Sequence, residues 1–180
     1  MNLSIRNGVE ADLPAIRDIL NHYILESAVT FEVEEVSIEN RREWFKQFDP
    51  VGRHQLIVAE VDGKVAGYAA SIRFHERPAY EPSIMTSVYI SKTQLGNGIG
   101  ETLYRVLLSG VEKTGLVHRA YGLVVIPNPA SVKLHEKLGF RETGVLHEAG
   151  YKLGKYHDVK IYAVSYTHLR AHETREDRGF

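Results

Sequence analysis

The glycine-rich bend Gly96–Gly100 lies between a β-type run at residues 87–90 and a segment whose apolar residues recur at helical spacing. That apolar stripe consists of Leu103, Val106, Leu107 and Val111. A strand, a glycine bend and a helix N-terminus bring unpaired backbone N–H groups and the positive end of the helix dipole to one point. Because glycine has no Cβ, a phosphate can approach this backbone closely. The stretch therefore predicts an anion site, with a tight turn that binds no ligand as the alternative.

A second polar pattern follows at Asn128, Ser131 and His135, which fall on one stripe of a short helix together with Leu138. Pro127 breaks the strand before this helix, and Asn128 is a suitable N-cap residue. Polar side chains on one helix face favour a face turned toward a ligand cleft. A lone helical histidine is more often a structural residue, and the pattern alone leaves both interpretations open.

The composition limits the class of protein. The chain has 180 residues, a formal net charge of −1, nine histidines without clustered spacing and no cysteine. This length suits one domain with a real core, and the charge gives no electrostatic case for nucleic acid. No apolar run reaches membrane-spanning length, and residues 1–6 lack the apolar core of a signal peptide. We therefore expect a cytoplasmic protein that binds no nucleic acid, no membrane and no metal.

The spacing of the apolar residues predicts eleven elements. Strands are predicted at residues 3–6, 54–61, 64–72, 87–90, 119–126, 140–146 and 158–166. Helices are predicted from Asp12, from Ser37 to about Phe48, after the glycine bend, and from Asn128 to Gly139. The order β-α-α-β-β-β-α-β-α-β-β predicts an α/β (α+β) domain, with one mixed and mostly antiparallel sheet flanked by helices on both faces.

The C-terminal stretch differs from the rest of the chain. From Thr167 onward the sequence follows neither the period of a strand nor that of a helix. Residues 164–174 resemble a translated sequencing adapter of the transposon type. We therefore assign residues 1–166 to one folded domain and interpret residues 167–180 as a non-native or disordered tail. A natural polar tail is the alternative.

Both chemical patterns resemble motifs of the GNAT superfamily of N-acetyltransferases. The glycine bend is similar to its pyrophosphate-binding loop, Gln/Arg-x-x-Gly-x-Gly/Ala, with Gly98 and Gly100 matching and Leu95 where Gln or Arg is usual. Residues 128–140 are similar to its second coenzyme A motif, Asn-x-x-Ser-x-x-x-Tyr/His-x-x-x-Gly-Phe. His135 occupies the Tyr/His position, which in many members donates a proton to the leaving thiolate, so the resemblance implies that catalytic role here.

Further stretches between about Ile5 and Tyr162 are similar to phosphinothricin and methionine sulfoximine acetyltransferases of this superfamily. They are residues 21–24, 30–31, 58–63, 134–140 and 149–159. These enzymes move an acetyl group from acetyl-CoA to the α-amine of small amino-acid-like substrates. The resemblance therefore implies the GNAT fold, acetyl-CoA as cosubstrate and a small primary amine as acceptor. Relatives often dimerise, which makes a homodimer an expectation.

The resemblance also implies which residues hold the cofactor. The thioester and the pantetheine arm would lie along the backbone of Val88, Tyr89 and Ile90. The pyrophosphate would lie on Gly96, Asn97, Gly98, Ile99, Gly100, Glu101 and Thr102. Asn128 would hydrogen-bond the arm with Ser131 beside it, and Lys133 or Lys137 would meet a phosphate or remain surface charge.

In the candidate acceptor pocket, one residue differs from the usual sequence of the family. The candidate residues of this pocket are Phe31, Arg73, Phe74, Arg77, Tyr80 and Met85, with the guanidinium of Arg73 or Arg77 suited to a substrate carboxylate. Relatives usually have a glutamate at the position of Met85, taken to be the base that accepts the ammonium proton. Methionine cannot accept a proton. The base therefore stays unassigned, with Glu81, His75, His157 or a water relay as candidates.

Two other functions stay open beside acetylation of a small amine. One is acetylation of a protein or peptide N-terminus on the same fold. The other is acyl-CoA binding without turnover, for which Met85 is the only motive. Release of free thiol from acetyl-CoA with and without amino-acid analogues would distinguish these functions.

Overall fold

The computed structural model describes residues 1–166, and the predicted tail at residues 167–180 lies outside the described residues. The strands of the described part are β1 (Leu3–Asn7), β2 (Leu56–Val61), β3 (Lys64–Arg73), β4 (Ser83–Ile90), β5 (Arg119–Ile126), β6 (Arg141–Lys152) and β7 (Lys155–Ser165). Its α-helices are α1 (Leu13–Glu26), α2 (Ile38–Phe45), α3 (Ile99–Glu112) and α4 (Pro129–Lys137). The predicted order of strands and helices is confirmed.

The strands form one sheet in the order β1-β2-β3-β4-β5-β7-β6. Neighbouring strands are antiparallel except β4 and β5, which are parallel. The prediction of a mixed, mostly antiparallel sheet is therefore confirmed. The one parallel pair lies in the middle of the sheet, where both predicted chemical motifs meet.

Helices cover both faces of this sheet. The core on one face is built around α3, and α4 packs against it through Val132 and Leu134. The core on the other face contains Leu13, Ile16 and Ile19 of α1, and α2 packs against it. No helix within residues 1–166 is long and apolar enough to cross a membrane.

The buried stripe of α3 explains how the helix is held. Leu103, Leu107 and Val111 are fully buried, and each buried side chain of this kind contributes about 1.5–3 kcal/mol to folding. Val106, which shares the helical spacing of these residues, is 39% exposed and lies at the edge of the buried stripe. Tyr104 takes the remaining buried place, with no exposed surface. The stripe thus contains one polar atom, the Tyr104 hydroxyl.

Several predicted boundaries shift because of pairing with neighbours. The central strand β4 begins at Ser83 rather than residue 87, since Ile84 pairs with Arg73 at the end of β3. The helix α2 ends at Phe45, although Phe48 still packs edge-on against Trp44 at 4.6 Å. The last two strands form a long hairpin that reaches to the turn at residues 153–154.

The end of β7 belongs to the folded core. Val164 and Ser165 pair with Ala120 and Arg119 of β5. Tyr166 is buried, and its hydroxyl donates a hydrogen bond of 3.1 Å to the carbonyl oxygen of Leu108 on α3. The adapter-like residues 164–166 therefore complete the sheet and cover the end of α3.

Candidate active site

The parallel strands β4 and β5 pair over only three positions and then diverge. Residues 83–85 pair with residues 119–121, after which β4 continues along β3 and β5 along β7. Thr86, the first residue beyond the ladder, donates from its hydroxyl to the carbonyl oxygen of Tyr121 at 3.0 Å. Polar backbone groups along the two diverging edges are therefore available to a ligand placed between them.

A cleft of about 360 Å³ occupies the space between the diverging strands. Residues 86–90 of β4 form one wall, and residues 123–125 of β5 form the other. The helix α4 and its N-cap close one side with Asn128, Ser131 and His135. Of the glycine bend, Gly100 lines this cleft, which therefore joins the bend to the α4 motif and to Val88, Tyr89 and Ile90.

The glycine bend has the backbone geometry of a phosphate cradle. Gly96 and Gly98 have φ values of +81° and +75°, a region that favours glycine. A Cβ built at either position meets no atom within 4 Å, so the space above both glycines is open. Gly98 is the N-cap of α3 and contributes no capping side chain. The N–H groups of the first turn, at Ile99 and Gly100, are therefore left for an anion.

The polar side chains around this bend bond to other protein groups and do not point into the open space above the glycines. Asn97 donates to Gln94 at 3.4 Å, and the Thr102 hydroxyl donates to the carbonyl oxygen of Gly98 at 3.2 Å. The Glu101 carboxylate accepts from Lys137 at 2.7 Å and from Arg105 at 3.0 Å. These two hydrogen bonds lower the pKa of Glu101 below its usual value.

The helix α4 orders the second motif. The side-chain oxygen of Asn128 accepts from the backbone N–H of Ser131 at 3.2 Å, so the predicted N-cap is confirmed. Gly139 follows the helix with a φ of +87°, which confirms the predicted C-terminal glycine. Lys133 is exposed and is not part of the cleft wall.

His135 is 4% exposed and is held at both ring nitrogens. Its Nδ1 lies 2.7 Å from the carbonyl oxygen of Ser131, and its Nε2 lies 3.1 Å from the hydroxyl of Tyr104. The ring stacks on Tyr162 and meets Phe140 edge-on, with centroids 5.4 Å and 5.0 Å away. Burial lowers the pKa of His135, and the bond to Ser131 opposes that change only in part. The imidazole is therefore neutral at pH 7, with its proton on Nδ1.

Met85 faces the opposite side of the sheet from α3. Side chains alternate along β4, and Val88 and Ile90 pack toward α3 while Tyr89 packs toward α1 and α2. Met85 has the parity of Tyr89 and pairs with Tyr121 on β5. Both side chains therefore face the α1–α2 side at the point where the cleft begins.

An aromatic wall lies next to this point. The ring of Phe74 lies 4.7 Å from Tyr121 and 5.5 Å from Tyr80, measured between centroids. His75 lies 4.8 Å from Tyr80, and its Nδ1 accepts from the backbone N–H of Arg77 at 3.2 Å. The structure thus places Phe74, Arg77 and Tyr80 on one segment beside the start of the cleft.

Arg73 lies apart from that wall. It borders a separate depression of about 390 Å³ together with Arg53, His54 and Glu81. Glu81 pairs with Arg53 at 3.3 Å. Burial lowers the pKa of His54, and the nearby Arg53 and Arg73 lower it further. Neither Arg73 nor Glu81 lies on the wall of the main cleft.

Phe31 belongs to the linker between α1 and α2, and its ring packs against the β6–β7 hairpin. Val29 of the same linker lines the cleft. A Cβ built on Gly150 would stand 2.3 Å from the ring of Phe31, so only glycine fits beneath it. His157 is buried nearby, and its Nε2 donates to the carbonyl oxygen of Lys152 at 2.8 Å. This bond occupies one His157 nitrogen in a structural contact.

The residues of the site that the sequence analysis missed include Thr86, Tyr23 and Tyr104. Thr86 and Tyr23 line the cleft, and the Tyr23 hydroxyl donates to the carbonyl oxygen of Ile90. The Tyr104 hydroxyl contacts Nε2 of His135. A tyrosine inside an apolar helix stripe is the signal that could have found Tyr104, because a buried hydroxyl requires a partner.

The fold and the cleft define an acetyl-CoA-dependent N-acetyltransferase: diverging parallel strands, a glycine cradle at a helix N-terminus, and a polar helix face between them. Residues 5–161 match the family model described as "Acetyltransferase (GNAT) domain", and the chain belongs to this family. The enzyme uses acetyl-CoA, which the cradle fits because its glycines leave open space before free N–H groups. No group of His, Cys, Asp and Glu within residues 1–166 is arranged to hold a metal ion.

Known proteins resemble the chain over most of its length. A phosphinothricin N-acetyltransferase of Streptomyces coelicolor is 39% identical, covering 89% of this chain and 94% of that protein. An L-methionine sulfoximine/L-methionine sulfone acetyltransferase of Pseudomonas aeruginosa is 30% identical, covering 88% and 92%. The Sinorhizobium meliloti phosphinothricin acetyltransferase, solved with acetyl-CoA, aligns with a TM-score of 0.86 and 28% identity over 92% of this chain and 89% of its own. A ribosomal-protein-alanine N-acetyltransferase of Brucella melitensis aligns at 0.84 and 31% over 90% and 99%.

Proposed function

We propose that this enzyme acetylates the primary amine of a small amino-acid-like substrate of the phosphinothricin or methionine sulfoximine type. The observation that carries the proposal is the position of the aromatic wall, with Phe74 and Tyr80 beside the Met85–Tyr121 pair where the cleft begins. An acceptor on this wall would have its amine next to a thioester lying between β4 and β5. The names of the relatives above support this substrate class. We also place the enzyme in the cytoplasm.

In this proposal the amine attacks the acetyl carbonyl directly. The backbone of Val88–Ile90 binds the thioester and the pantetheine arm, and the first turn of α3 after Gly98 binds the pyrophosphate. Asn128 contributes its side-chain N–H₂ to the arm, because its oxygen already caps α4. His135 returns a proton to the thiolate that leaves.

For the acceptor carboxylate we propose Arg77 in preference to Arg73. Arg77 is held next to the aromatic wall through its backbone bond to His75. Arg73 belongs to the depression with Arg53 and His54, where three basic side chains face one another. A guanidinium binds a carboxylate through two parallel hydrogen bonds, so replacing Arg77 by Lys keeps the charge but loses that geometry.

The test is release of free thiol from acetyl-CoA by the purified chain. Acceptors are phosphinothricin, methionine sulfoximine, methionine sulfone and a panel of ordinary amino acids. Matched controls are the N-acetylated forms, which lack the amine, and the decarboxylated amines, which lack the carboxylate. We expect saturable release with at least one amino-acid-like acceptor and little with either control. Equal release with and without every acceptor would refute the proposal.

Acetylation of a protein N-terminus is the second candidate. The structural similarity to the ribosomal-protein-alanine N-acetyltransferase favours it. Peptides that begin with alanine, serine or methionine belong in the same assay, with N-acetylated peptides as controls. A peptide used more efficiently, by kcat/KM, than every free amino acid would move the assignment to this function.

We also propose that the enzyme forms a homodimer through the β6–β7 hairpin. This hairpin carries large exposed apolar side chains, which are 46% to 63% exposed. They are Leu146, Tyr151, Leu153 and Tyr156. Such side chains near one another favour a protein contact. Sedimentation of the parent and of Tyr151→Ser/Leu153→Ser at several concentrations tests this, and a monomer for the parent would refute it.

A further inference from the structure

A continuous line of hydrogen bonds runs from His135 to the point where β4 and β5 separate. His135 Nε2 lies 3.1 Å from the Tyr104 hydroxyl, which in turn contacts the hydroxyl of Thr86. Thr86 then reaches the carbonyl oxygen of Tyr121 at 3.0 Å. Tyr104 is fully buried, whereas Thr86 and His135 both line the cleft and are each 4% exposed. The line therefore joins two residues of the cleft wall through a buried tyrosine.

This line of hydrogen bonds can accept one more proton, at Nε2 of His135. The backbone carbonyl of Ser131 can only accept, so His135 carries its proton on Nδ1 and its Nε2 is an acceptor. The three contacts from Nε2 to the Tyr121 oxygen then share two hydrogen atoms, those of Tyr104 and Thr86. If Nε2 gains a proton, each of the three contacts has its own donor. The network is thus suited to receive a proton at His135 and to release it again.

His135 also borders the cleft, and the Ser131 hydroxyl lies 3.4 Å from its Nδ1, so the two ring nitrogens have different surroundings. Nδ1 is held by the Ser131 carbonyl at 2.7 Å. A Cβ built on Gly122 would stand 2.5 Å from Nε2, so the backbone of β5 closes that side of the ring. A side chain at residue 122 would displace the imidazole. Within residues 1–166 the hydrogen-bond partner of Nε2 is therefore the Tyr104 hydroxyl.

We propose that Tyr104 is the positioning residue that connects His135 Nε2 to the Thr86 hydroxyl, and that this hydroxyl meets the reacting groups at the cleft wall. The inference rests on the acetyl transfer to an amine described above. It assigns a route to the proton that Met85 cannot accept. The histidine then takes the proton from the amine and later returns it to the thiolate.

In this acetyl transfer every proton is accounted for. The free amine attacks the acetyl carbon and forms a C–N bond, and its nitrogen then carries one proton too many. That proton passes to Thr86, the Thr86 proton passes to Tyr104, and the Tyr104 proton passes to His135 Nε2. When the C–S bond breaks, the same shifts in reverse give one proton to the thiolate. The products are the amide and the free thiol of coenzyme A, and His135 is neutral again.

Two isosteric variants remove the connection without leaving a cavity. Tyr104→Phe deletes the central hydroxyl, and Thr86→Val deletes the hydroxyl at the cleft. Tyr162→Phe is the matched control, because Tyr162 is also buried and stacks on the same imidazole, but its hydroxyl has no hydrogen-bond partner among residues 1–166. Thr86→Ser restores a hydroxyl at the end of the line.

We expect Tyr104→Phe and Thr86→Val each to lower kcat about tenfold or more, since acid–base assistance is typically worth about 10²–10⁴-fold. KM for acetyl-CoA should stay within about twofold of the parent. Tyr162→Phe should keep kcat within about twofold, and Thr86→Ser should recover most of the loss caused by valine. The double variant should be no slower than the slower single variant, because both residues act in one line. Equal kcat in Tyr104→Phe and Tyr162→Phe would overturn the proposal.

A second measurement keeps the inference independent of the acceptor. The titratable groups around the ring are Tyr104 from α3 and Tyr162 from β7. In ¹⁵N-imidazole NMR, Tyr104→Phe should lower the pKa of His135, because the imidazolium loses the acceptor for Nε2–H, and Tyr162→Phe should leave it unchanged. A His135 titration in Tyr104→Phe that overlays the parent curve would refute the connection. If the parent acetylates no amine at all, the proposed function fails, while this titration still decides whether the line exists.

Discussion

Met85 and Tyr121 form the last pair of the parallel ladder between β4 and β5. Beyond them the strands separate, and the main cleft opens. The residue at this place therefore stands between the end of that cleft and the aromatic wall that begins with Phe74. An acid here would meet the amine of an acceptor, and the thioether of Met85 leaves that task to other groups.

Gly98→Val should weaken binding of acetyl-CoA by at least ~1.4 kcal/mol, which is tenfold in Kd. The valine would enter the open space of the cradle and would also strain a backbone with a φ of +75°. Gly63→Val is the matched control, since Gly63 has a φ of +79° and open space but lies in the β2–β3 turn. Calorimetry on the folded variants is the measurement. Unchanged affinity in Gly98→Val would remove the bend from the cofactor site.

Glu101→Gln should strengthen binding of acetyl-CoA about two- to fivefold at low salt, with the gain shrinking as salt is added. The carboxylate now neutralises Lys137 and Arg105 beside the first turn of α3. Without it, both cations become available to phosphate groups on the cradle. Glu43→Gln on α2 makes the same change in net charge, at an exposed pair with Lys46. Equal effects of both substitutions would show that only net charge matters.

The sequence alone was sufficient to predict those parts of the fold that depend on a local pattern of residues. The spacing of Leu103 and Leu107, the glycine bend and the Asn128 cap all depend on residues close in the chain. The long β6–β7 hairpin was not predicted, because its register shifts between Leu146 and Gly150 and the alternation of apolar residues is lost there.

The connection from His135 to Tyr104 was also beyond the sequence. The two residues are 31 positions apart, and their contact depends on how α3 and α4 pack on the same face of the sheet. The spacing placed Val106 on the apolar stripe and gave no role to Tyr104. Similarly, Arg73 and Arg77 look equivalent in the sequence, but Arg73 ends β3 beside the depression with Arg53 and His54, and Arg77 lies on the segment of the aromatic wall.

A chain that ends at Tyr166 should keep its fold and its affinity for acetyl-CoA, since residues 1–166 contain the seven-stranded sheet, both described core clusters and the cleft. A chain that ends at Ala163 should be much less stable. It loses the pairing of Val164 with Ala120 and the buried Tyr166, whose hydroxyl bonds Leu108. Thermal unfolding of both chains is the measurement. Loss of folded protein in the longer chain would show that residues after Tyr166 are needed.

Met85→Glu should raise kcat for amine acetylation at pH 7, because a carboxylate at the end of the cleft could accept the ammonium proton directly. Half-burial of the site would raise the pKa of that carboxyl toward neutrality, which suits a base. The gain should be smaller at pH 9, where more of the amine is already free. Met85→Gln is the control of equal shape without a proton acceptor, and it should give no gain at either pH.

Because the new carboxylate bypasses the Thr86–Tyr104–His135 line for the first proton, Tyr104→Phe should lower kcat by a smaller factor in the Met85→Glu background than in the parent. A folded Met85→Glu enzyme whose pH–rate profile overlays that of Met85→Gln would show that proton removal from the amine does not limit the rate at this position.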